Sequence, residues 1–491
     1  MVPPDDHDCP LTELVHEQQL RIEQLLEQSQ KQAQEIAQLK KALIGPKSER
    51  SKMPSVDSGL GKPPSSAQNR QARRRERAQR KQKLETIRIE HKVPDAQRAC
   101  PACGGDTLSA LGEGRTTVVY EYVPAKLVRV EHVQEVLRCR CGGHIVTAPG
   151  APKVIEQGRY GASLLAHLVV AKCVDCIPIY RLEKEFKRQG VPLSRSTMNE
   201  LFHRAAALLR PLSNRLLDQI RIRPIVLADE TRMRMLNDGT GKPKNGFQWT
   251  FVAEDEQRGL DVAFVFAPDR SGETPRQVLG GTAGTLLCDA YSGYNSVADV
   301  SSRERAACHA HLRRYFHDAL STAPIAQEAI DLILELYRVE HDAKERRIVG
   351  TDAHRMLRAQ RAGPIRDRLK QWLDEQHSRQ LPKSPIGIAI RYALGHWEEL
   401  GRFLHDARIP LDNNASERAL RRVALGRKNF LFVGDVESGK NIAGLYSLVA
   451  TCEARAINPF AYLADVLSRI GEHPNSRIDD LLPAAWPPAA A

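Results

Sequence analysis

PIVLAD (224–229), FQWTFVAED (247–255), DVAFVFAP (261–268), TLLCDAYSGY (285–294) and RAACHAH (305–311) are five apolar runs in close succession. The runs are rich in Val, Ile, Leu, Phe and Trp and are too short for helices, which predicts strands. A helical piece over Thr274–Gly280 precedes the fourth run, and a second short helix is expected before the fifth. Farther on, LRRYFHDALS (312–321), QEAIDLILELYRVEHDAKER (327–346) and IRYALGHWEEL (390–400) carry helical periodicity. They predict a helical insertion over about 312–405, after which the chain returns to the sheet at NNASERALRR (413–422).

Three strands, a helix, a fourth strand, a helix and a fifth strand make the order of a ribonuclease H-like sheet. Asp229 is expected to terminate the first strand and Asp289 the fourth. In such a sheet those strands are neighbours, so the two carboxylates converge. Phosphodiester hydrolysis or transfer needs an activated oxygen nucleophile and a stabilised leaving oxygen, which two Mg²⁺ ions roughly 3.5 to 4 Å apart supply. Hard oxygen ligands hold that ion. Strand-end aspartates are equally common as turn residues, so spacing alone leaves both readings open. Glu417 has its own structural reading, as the partner of Asn414 in a capping box. Against that stands the company it keeps: Arg418, Arg421, Arg422, Arg427 and Lys428 surround one acid, a composition suited to phosphates beside a metal site.

Upstream, residues 155–215 read as three helices: Gly161–Lys172, a second from Pro178 to just before Gly190, and a third over Ser196–Leu209. The turn GVPLS (190–194) between the last two matches a helix-turn-helix, whose second helix meets base edges at its front. That geometry points Arg195, Ser196, Thr197 and Asn199 at DNA and Arg204 at its backbone; a plain helical hairpin capped by Ser194 is the alternative. Cys173 and Cys176, in LLAHLVVAKCVDCIPIY (164–180), read as buried core residues.

Residues 85–150 read as a small β module that holds one structural zinc ion. Cys100-Pro-Ala-Cys103 and Cys139-Arg-Cys141 supply two close thiolate pairs for a tetrahedral site, with His144 as an alternative ligand. Between Gly61 and Lys83 nine Lys or Arg stand against the single acid Glu76, and the 45–84 stretch reads as a disordered basic linker. It suits phosphates, or serves only as a solvated tether. Val15, Ile22, Leu25, Ile36, Leu39 and Leu43 fall on a heptad seam broken by Gln18, Ser29 and Gln32. The 11–44 helix therefore reads as a coiled coil with a second copy, or as an amphipathic helix docked on its own protein.

The formal net charge of +12 favours a polyanionic partner, and no run approaches the roughly 18 apolar residues of a membrane span. MVPPDDHDCP (1–10) has no apolar core, so no secretory signal is expected. The chain is expected to stay inside the cell, where the ten cysteines stay reduced.

Taken in order, LIGPKSER (43–50), the paired cysteines, IYRLEKEF (179–186), GVPLSRSTM (190–198), LADETRM (227–233), LLCDAYSGYNSV (286–297), DNNASERALR (412–421), RKNFLFVG (427–434), LYSLVATC (445–452), NPFAYLADVLSRI (458–470) and RIDDLLPAAW (477–486) resemble transposases of the insertion sequence 66 family. The likeness runs over nearly the whole chain. It implies an Asp-Asp-Glu core over 220–450, with Asp229, Asp289 and Glu417 as ligands of two Mg²⁺ or Mn²⁺ ions, and a C-terminal helical segment and tail over 451–491. Glu230 is expected to point away from the site. Cys308 and His311 resemble a C-x-x-H element beside the active site in related transposases; a structural zinc or a core role fits them as well. Family members often carry a Gly-Gly-Glu-like turn where this chain has Glu437-Ser438-Gly439-Lys440. The implied partners are double-stranded DNA at the element ends and target, a second copy bound through the N-terminal helix, and accessory proteins of the same element. The implied activity is metal-dependent cleavage and strand transfer at terminal inverted repeats. A DNA-binding regulator without chemistry, and a nuclease that cuts without joining, are its rivals.

Overall fold

The computed structural model describes residues 127–138, 145–148, 154–155, 158–191, 193–236, 241–255, 257 and 259–486. The heptad segment 11–44, the basic linker 45–84, and Cys100, Cys103, Cys139, Cys141 and His144 lie outside these residues. Strands β1 (Val136–Arg138) and β2 (Ile145–Thr147) form a two-stranded antiparallel pair.

Helix α1 (Ala162–Cys173) buries Leu164, Leu165, Leu168 and Val169, and its almost wholly apolar surface fits a helix enclosed by others. Helix α2 (Ile179–Arg188) leads to a turn in which Gly190 adopts φ +75°, a value that favours glycine. Helix α3 (Arg195–Arg221) does not end near Leu209 as its sequence suggests. It continues through Pro211, which sits on the solvent face beside exposed Ala207, so the carbonyl that loses its helical bond can meet water. The last turns instead join the packing under the sheet, with Leu212, Leu216 and Ile220 buried. Arg303 seals its far end: its guanidinium donates to the carbonyls of Arg221 (2.6 Å) and Arg223 (2.8 Å). Burial lowers the Arg303 pKa to about 10.

The sheet contains β3 (Ile225–Leu236), β4 (Pro243–Glu254), β5 (Leu260–Ala267), then helix α4 (Glu273–Leu279), β6 (Ala283–Cys288) and β7 (Ser302–Ala307). Its spatial order is β5-β4-β3-β6-β7, with the first three antiparallel and β6 and β7 parallel to β3. A 3₁₀ stretch, Ser292–Val297, occupies the place of the helix expected between β6 and β7.

After β7 come α5 (His309–Ala319), α6 (Ala326–Glu345), α7 (Asp352–Leu357), a π-helical turn at 358–362, α8 (Gly363–His377), α9 (Pro385–Gly395) and α10 (Trp397–Gly401). Leu312, Phe316, Ile330, Ile333, Leu373 and Ile390 give this insertion an apolar core of its own. Arg358, nearly fully buried, pairs with Glu340 and donates to Phe403 O (2.7 Å), which holds the insertion to the returning chain. Helices α11 (Asn414–Phe430), α12 (Val436–Ala454) and α13 (Pro459–Arg469) complete the fold. Among the described residues no helix is long and apolar enough to cross a membrane.

Strand β5 lies at the edge of the sheet, where unpaired N–H groups would invite foreign strands. Helix α12 covers that edge. Ser447 Oγ accepts from Phe264 N (2.8 Å), and Thr451 Oγ1 accepts from Val262 N (3.0 Å) and donates to Val262 O (3.0 Å). The match follows from the two periods: four helical residues rise about 6 Å and two strand residues about 6.6 Å, so hydroxyls four apart meet amides two apart. Ser447→Ala with Thr451→Val strands two buried N–H groups at a cost of about 1 to 3 kcal/mol each. The double variant is expected to unfold at clearly lower urea concentration with an unchanged m-value, whereas Ser447→Thr stays near wild type. An unchanged midpoint for the double variant would show that these bonds contribute nothing.

Candidate active site

Asp229 lies within β3, not at its end, because β4 continues to pair with that strand as far as Leu236. The end belongs instead to the parallel pairing: β3 and β6 separate after Leu227 and Leu287. Continuing that register by two residues puts Asp229 level with Asp289, just where the two strands diverge. Alternation along β3 sends Glu230 to the opposite face. Its side chain is 2% exposed and is held by Arg270 (2.8 Å) and the Tyr294 hydroxyl (2.7 Å).

Glu417 enters on the first turn of α11. No capping box forms there. The residue before the helix is Asn413, whose side chain turns away from the helix: its Nδ2 donates to Ala228 O (2.7 Å), next to Asp229. The Asn413 backbone N–H meets Cys308 Sγ (3.2 Å), and its carbonyl accepts from Glu417 N (3.2 Å). One buried residue thus joins the strand of Asp229, the start of α5 and the helix of Glu417. Glu417 carries no capping duty and is available for other work.

From α5, His311 brings Nε2 to 3.7 Å from Glu417 Oε1. Cys308 is fully buried, and burial pushes its thiol up to about 11, so it acts as a neutral packing and hydrogen-bonding group. Between them, His309 is buried against Phe403 with Nδ1 on Leu411 O (3.1 Å), and burial lowers its pKa to about 4. Cys173 and Cys176, as read from sequence, are buried.

Asp229 feels the acids around it. Burial, then the carboxylates of Glu230, Asp289 and Glu417, push Asp229 up to about 7, against a 2.8 Å bond from Glu230 N that favours its charge. Asp289 Oδ1 accepts from Tyr291 N (2.9 Å), and Glu417 Oε1 is buried without a hydrogen-bond partner. Crowded negative charge, hard oxygen donors and an orphaned carboxylate oxygen fit a divalent cation. As they stand, no three His, Cys, Asp or Glu side chains among the described residues are placed to hold a metal ion. The carboxylates are neighbours, not a preformed cage.

The other residues singled out in the sequence fall into two groups. Arg195, Ser196, Asn199 and Arg204 are exposed, and Thr197 is half-buried. Ser194 caps α3 through Thr197 N (3.2 Å), and Arg204 pairs with Glu200 (2.6 Å). On α11, Arg418, Arg421 and Lys428 are exposed. Arg422 instead turns inward to Glu453, and Arg427 donates to Thr231 Oγ1 (3.0 Å) and Arg232 O (2.9 Å). The Glu437–Lys440 segment forms the first turn of α12, capped by Asp435; a Cβ at Gly439 would come within 2.3 Å of the Phe266 ring.

Sequence reasoning missed Asn413, His309 and Arg303. The tandem Asn before α11 was a usable signal for the first.

A mixed five-stranded sheet with two acids at the parting of its central parallel pair and a third returned by a helix defines a protein built around a carboxylate cluster. Three family models identify it further: "Transposase IS66 family" matches residues 157–441, "IS66 C-terminal element" matches 447–484, and "zinc-finger binding domain of transposase IS66" matches 97–142. The chain belongs to the IS66 transposase family. It is also similar to three proteins of Sinorhizobium fredii that bear the name uncharacterized protein. The first, y4hP, is 33% identical over 85% of this chain and 78% of its own length. For y4jD the identity is 33% over 80% and 79%, and for y4qI it is 31% over 89% and 83%.

The crowded acids should cost stability when no cation is bound. With a folded-state pKa near 7 against 3.8 for an ordinary aspartate, Asp229 keeps its proton in the folded chain and loses it in the unfolded chain between those values. Wild-type stability therefore falls as pH rises through that window. In metal-free protein Asp229→Asn is expected to raise Tm by a few degrees at pH 8 and to leave it unchanged near pH 4. A lower Tm at pH 8 would contradict the electrostatic account.

Proposed function

We propose that this chain is the transposase of a bacterial insertion sequence, which binds terminal inverted repeats and catalyses DNA cleavage and strand transfer with Asp229, Asp289 and Glu417 as its metal ligands. The reading is supported by acids from distant segments, two at the parting of the β3–β6 pair and one on the first turn of α11, near enough for Asp289 and Glu417 to raise the Asp229 pKa. The sheet order supports a ribonuclease H-like core. Two Mg²⁺ or Mn²⁺ ions, when bound, would activate an oxygen nucleophile and stabilise the leaving oxygen. The chain's own residues prepare for this. Asn413 fixes Glu417 relative to Asp229, Glu230 is occupied by Arg270 and Tyr294, and His311 stands beside Glu417.

The exposed Arg195, Ser196 and Asn199, with Thr197 and Arg204, present a helix front for base edges and backbone. Arg418, Arg421 and Lys428 take phosphates; Arg422, held by Glu453, serves α11 instead. Cys100, Cys103, Cys139 and Cys141 fall within the zinc-finger match and hold one structural zinc. The heptads of 11–44 pair two copies, and the linker adds salt-sensitive affinity. The site of action is the nucleoid, and accessory proteins of the element are further partners.

Strand transfer from a duplex carrying the element end, in Mg²⁺, is the decisive assay. Asp289→Asn is expected to reduce product by at least about 10²-fold while leaving DNA binding intact. Equal product from parent and variant would remove the carboxylate mechanism, and binding with no product from either would favour a regulator. For the zinc site, removal with a chelator is expected to release one zinc per chain and weaken binding to the element end. Retention of zinc by a Cys100→Ser, Cys139→Ser double variant would overturn the ligand assignment.

A further inference from the structure

Three exposed apolar side chains stand at one end of α11: Leu425 (51%), Leu431 (62%) and Phe432 (39%). Isolated exposed hydrophobes are ordinary, but Leu431 is held out at a cost. Its backbone lies at φ 55°, ψ −44°, in a three-residue turn closed by Phe432 N on Phe430 O (2.6 Å), a conformation that a bulky L-residue rarely adopts. Both flanks of the turn are fixed. Phe430 lies under the Lys172 ammonium, 5.2 Å from the ring centre, and Val433 joins the far end of β3 through Arg234 O (2.9 Å) and Leu236 N (3.0 Å). The result is a short rigid tip with two apolar side chains at its end.

Cations border the tip. Lys428, Arg232, Arg234 and Lys244 are exposed around it. Arg418, Arg421, Leu425 and Lys428, spaced by three and four, form one outward ridge on α11 that begins beside Glu417. The two acids that follow are already engaged: Asp435 caps α12 and Glu437 pairs with Arg210. A second copy docked through this same face would set these cations against themselves, which leaves a polyanion as the matching partner.

We infer that Leu431 and Phe432 form a wedge that unstacks a base step of duplex DNA lying along the α11 ridge. The inference rests on the proposed DNA-processing function. Apolar side chains inserted between bases, with cations on the adjoining phosphates, are a general way of opening a duplex. The helix from Glu417 to Phe430 rises about 20 Å, so the opened step lies about six base pairs from the bond beside Glu417.

The test uses the full chain carrying Asp289→Asn, so that DNA is bound and not cut, with duplexes of the element end bearing 2-aminopurine at each successive position across the first turn. A several-fold fluorescence rise confined to one or two positions is expected. Leu431→Ser with Phe432→Ser removes the rise without lowering Tm, and Phe432→Trp keeps it. In the cleavage-competent chain the double serine variant is expected to cut intact duplex on the order of ten-fold more slowly and to recover on a duplex mismatched at the opened step. Binding without any rise, or equal slowing on intact and mismatched duplexes, overturns the wedge alone. Failure to bind the duplexes at all overturns the DNA-processing reading together with it.

Discussion

The candidate site depends on one buried amide. Asn413 reaches across from the start of α11 to the carbonyl of Ala228, while its own N–H rests on the Cys308 thiol. Sequence distance makes this contact consequential, because nearly the whole helical insertion lies between Cys308 and Asn413. A helix that comes back after such an excursion has no local reason to stop at a given height against the sheet, and apolar packing alone would allow it to slide. Directional hydrogen bonds remove that freedom. An amide enclosed in this way loses more when unpaired than it gains when paired, so the arrangement tolerates few alternatives.

Around that point the protein handles its charged and polar groups by enclosure. Arg303 spends its guanidinium on backbone carbonyls at the end of α3, and Arg455 sits between Asp255 and Asp261 at the end of α12. Arg358 does the same between the insertion and the returning chain. Each sits where an element ends, and each satisfies carbonyls or acids that the fold leaves in low-dielectric surroundings. The acids near Asp229 are the exception: Arg270 pairs with Glu230, yet Glu230, Asp289 and Glu417 together still raise the Asp229 carboxyl. Perturbed carboxylates of this kind gather at functional sites more often than elsewhere in proteins.

Much of this architecture was legible. Strands came through because Val, Ile and Phe runs of this length have few other uses, whereas Asp229, expected at the end of its strand, lies within it because β4 pairs on to Leu236. What stayed hidden depended on partners far away in sequence. Nothing local distinguishes Arg422, which faces Glu453, from Arg421, which faces solvent. The third helix was read as ending at Leu209, whereas the burial of Leu212, Leu216 and Ile220 that carries α3 onward is tertiary. The capping box was a sound reading of Asn414 and Glu417 that lost to Asn413, one residue earlier, because the partner at Ala228 is invisible from 414. The heptads and the four zinc-module cysteines lie outside the described residues.

The unbroken run of α3 has a mechanical meaning. Twenty-seven residues at 1.5 Å each make a rod of about 40 Å, clamped by Arg303 at one end and bearing Arg195 at the other. A body of this kind works as a gauge. The turn between α2 and α3, tied to the near tip through Arg195 N on Glu183, is thereby kept about 40 Å from the sheet margin where Arg303 binds, a distance written into the length of one helix.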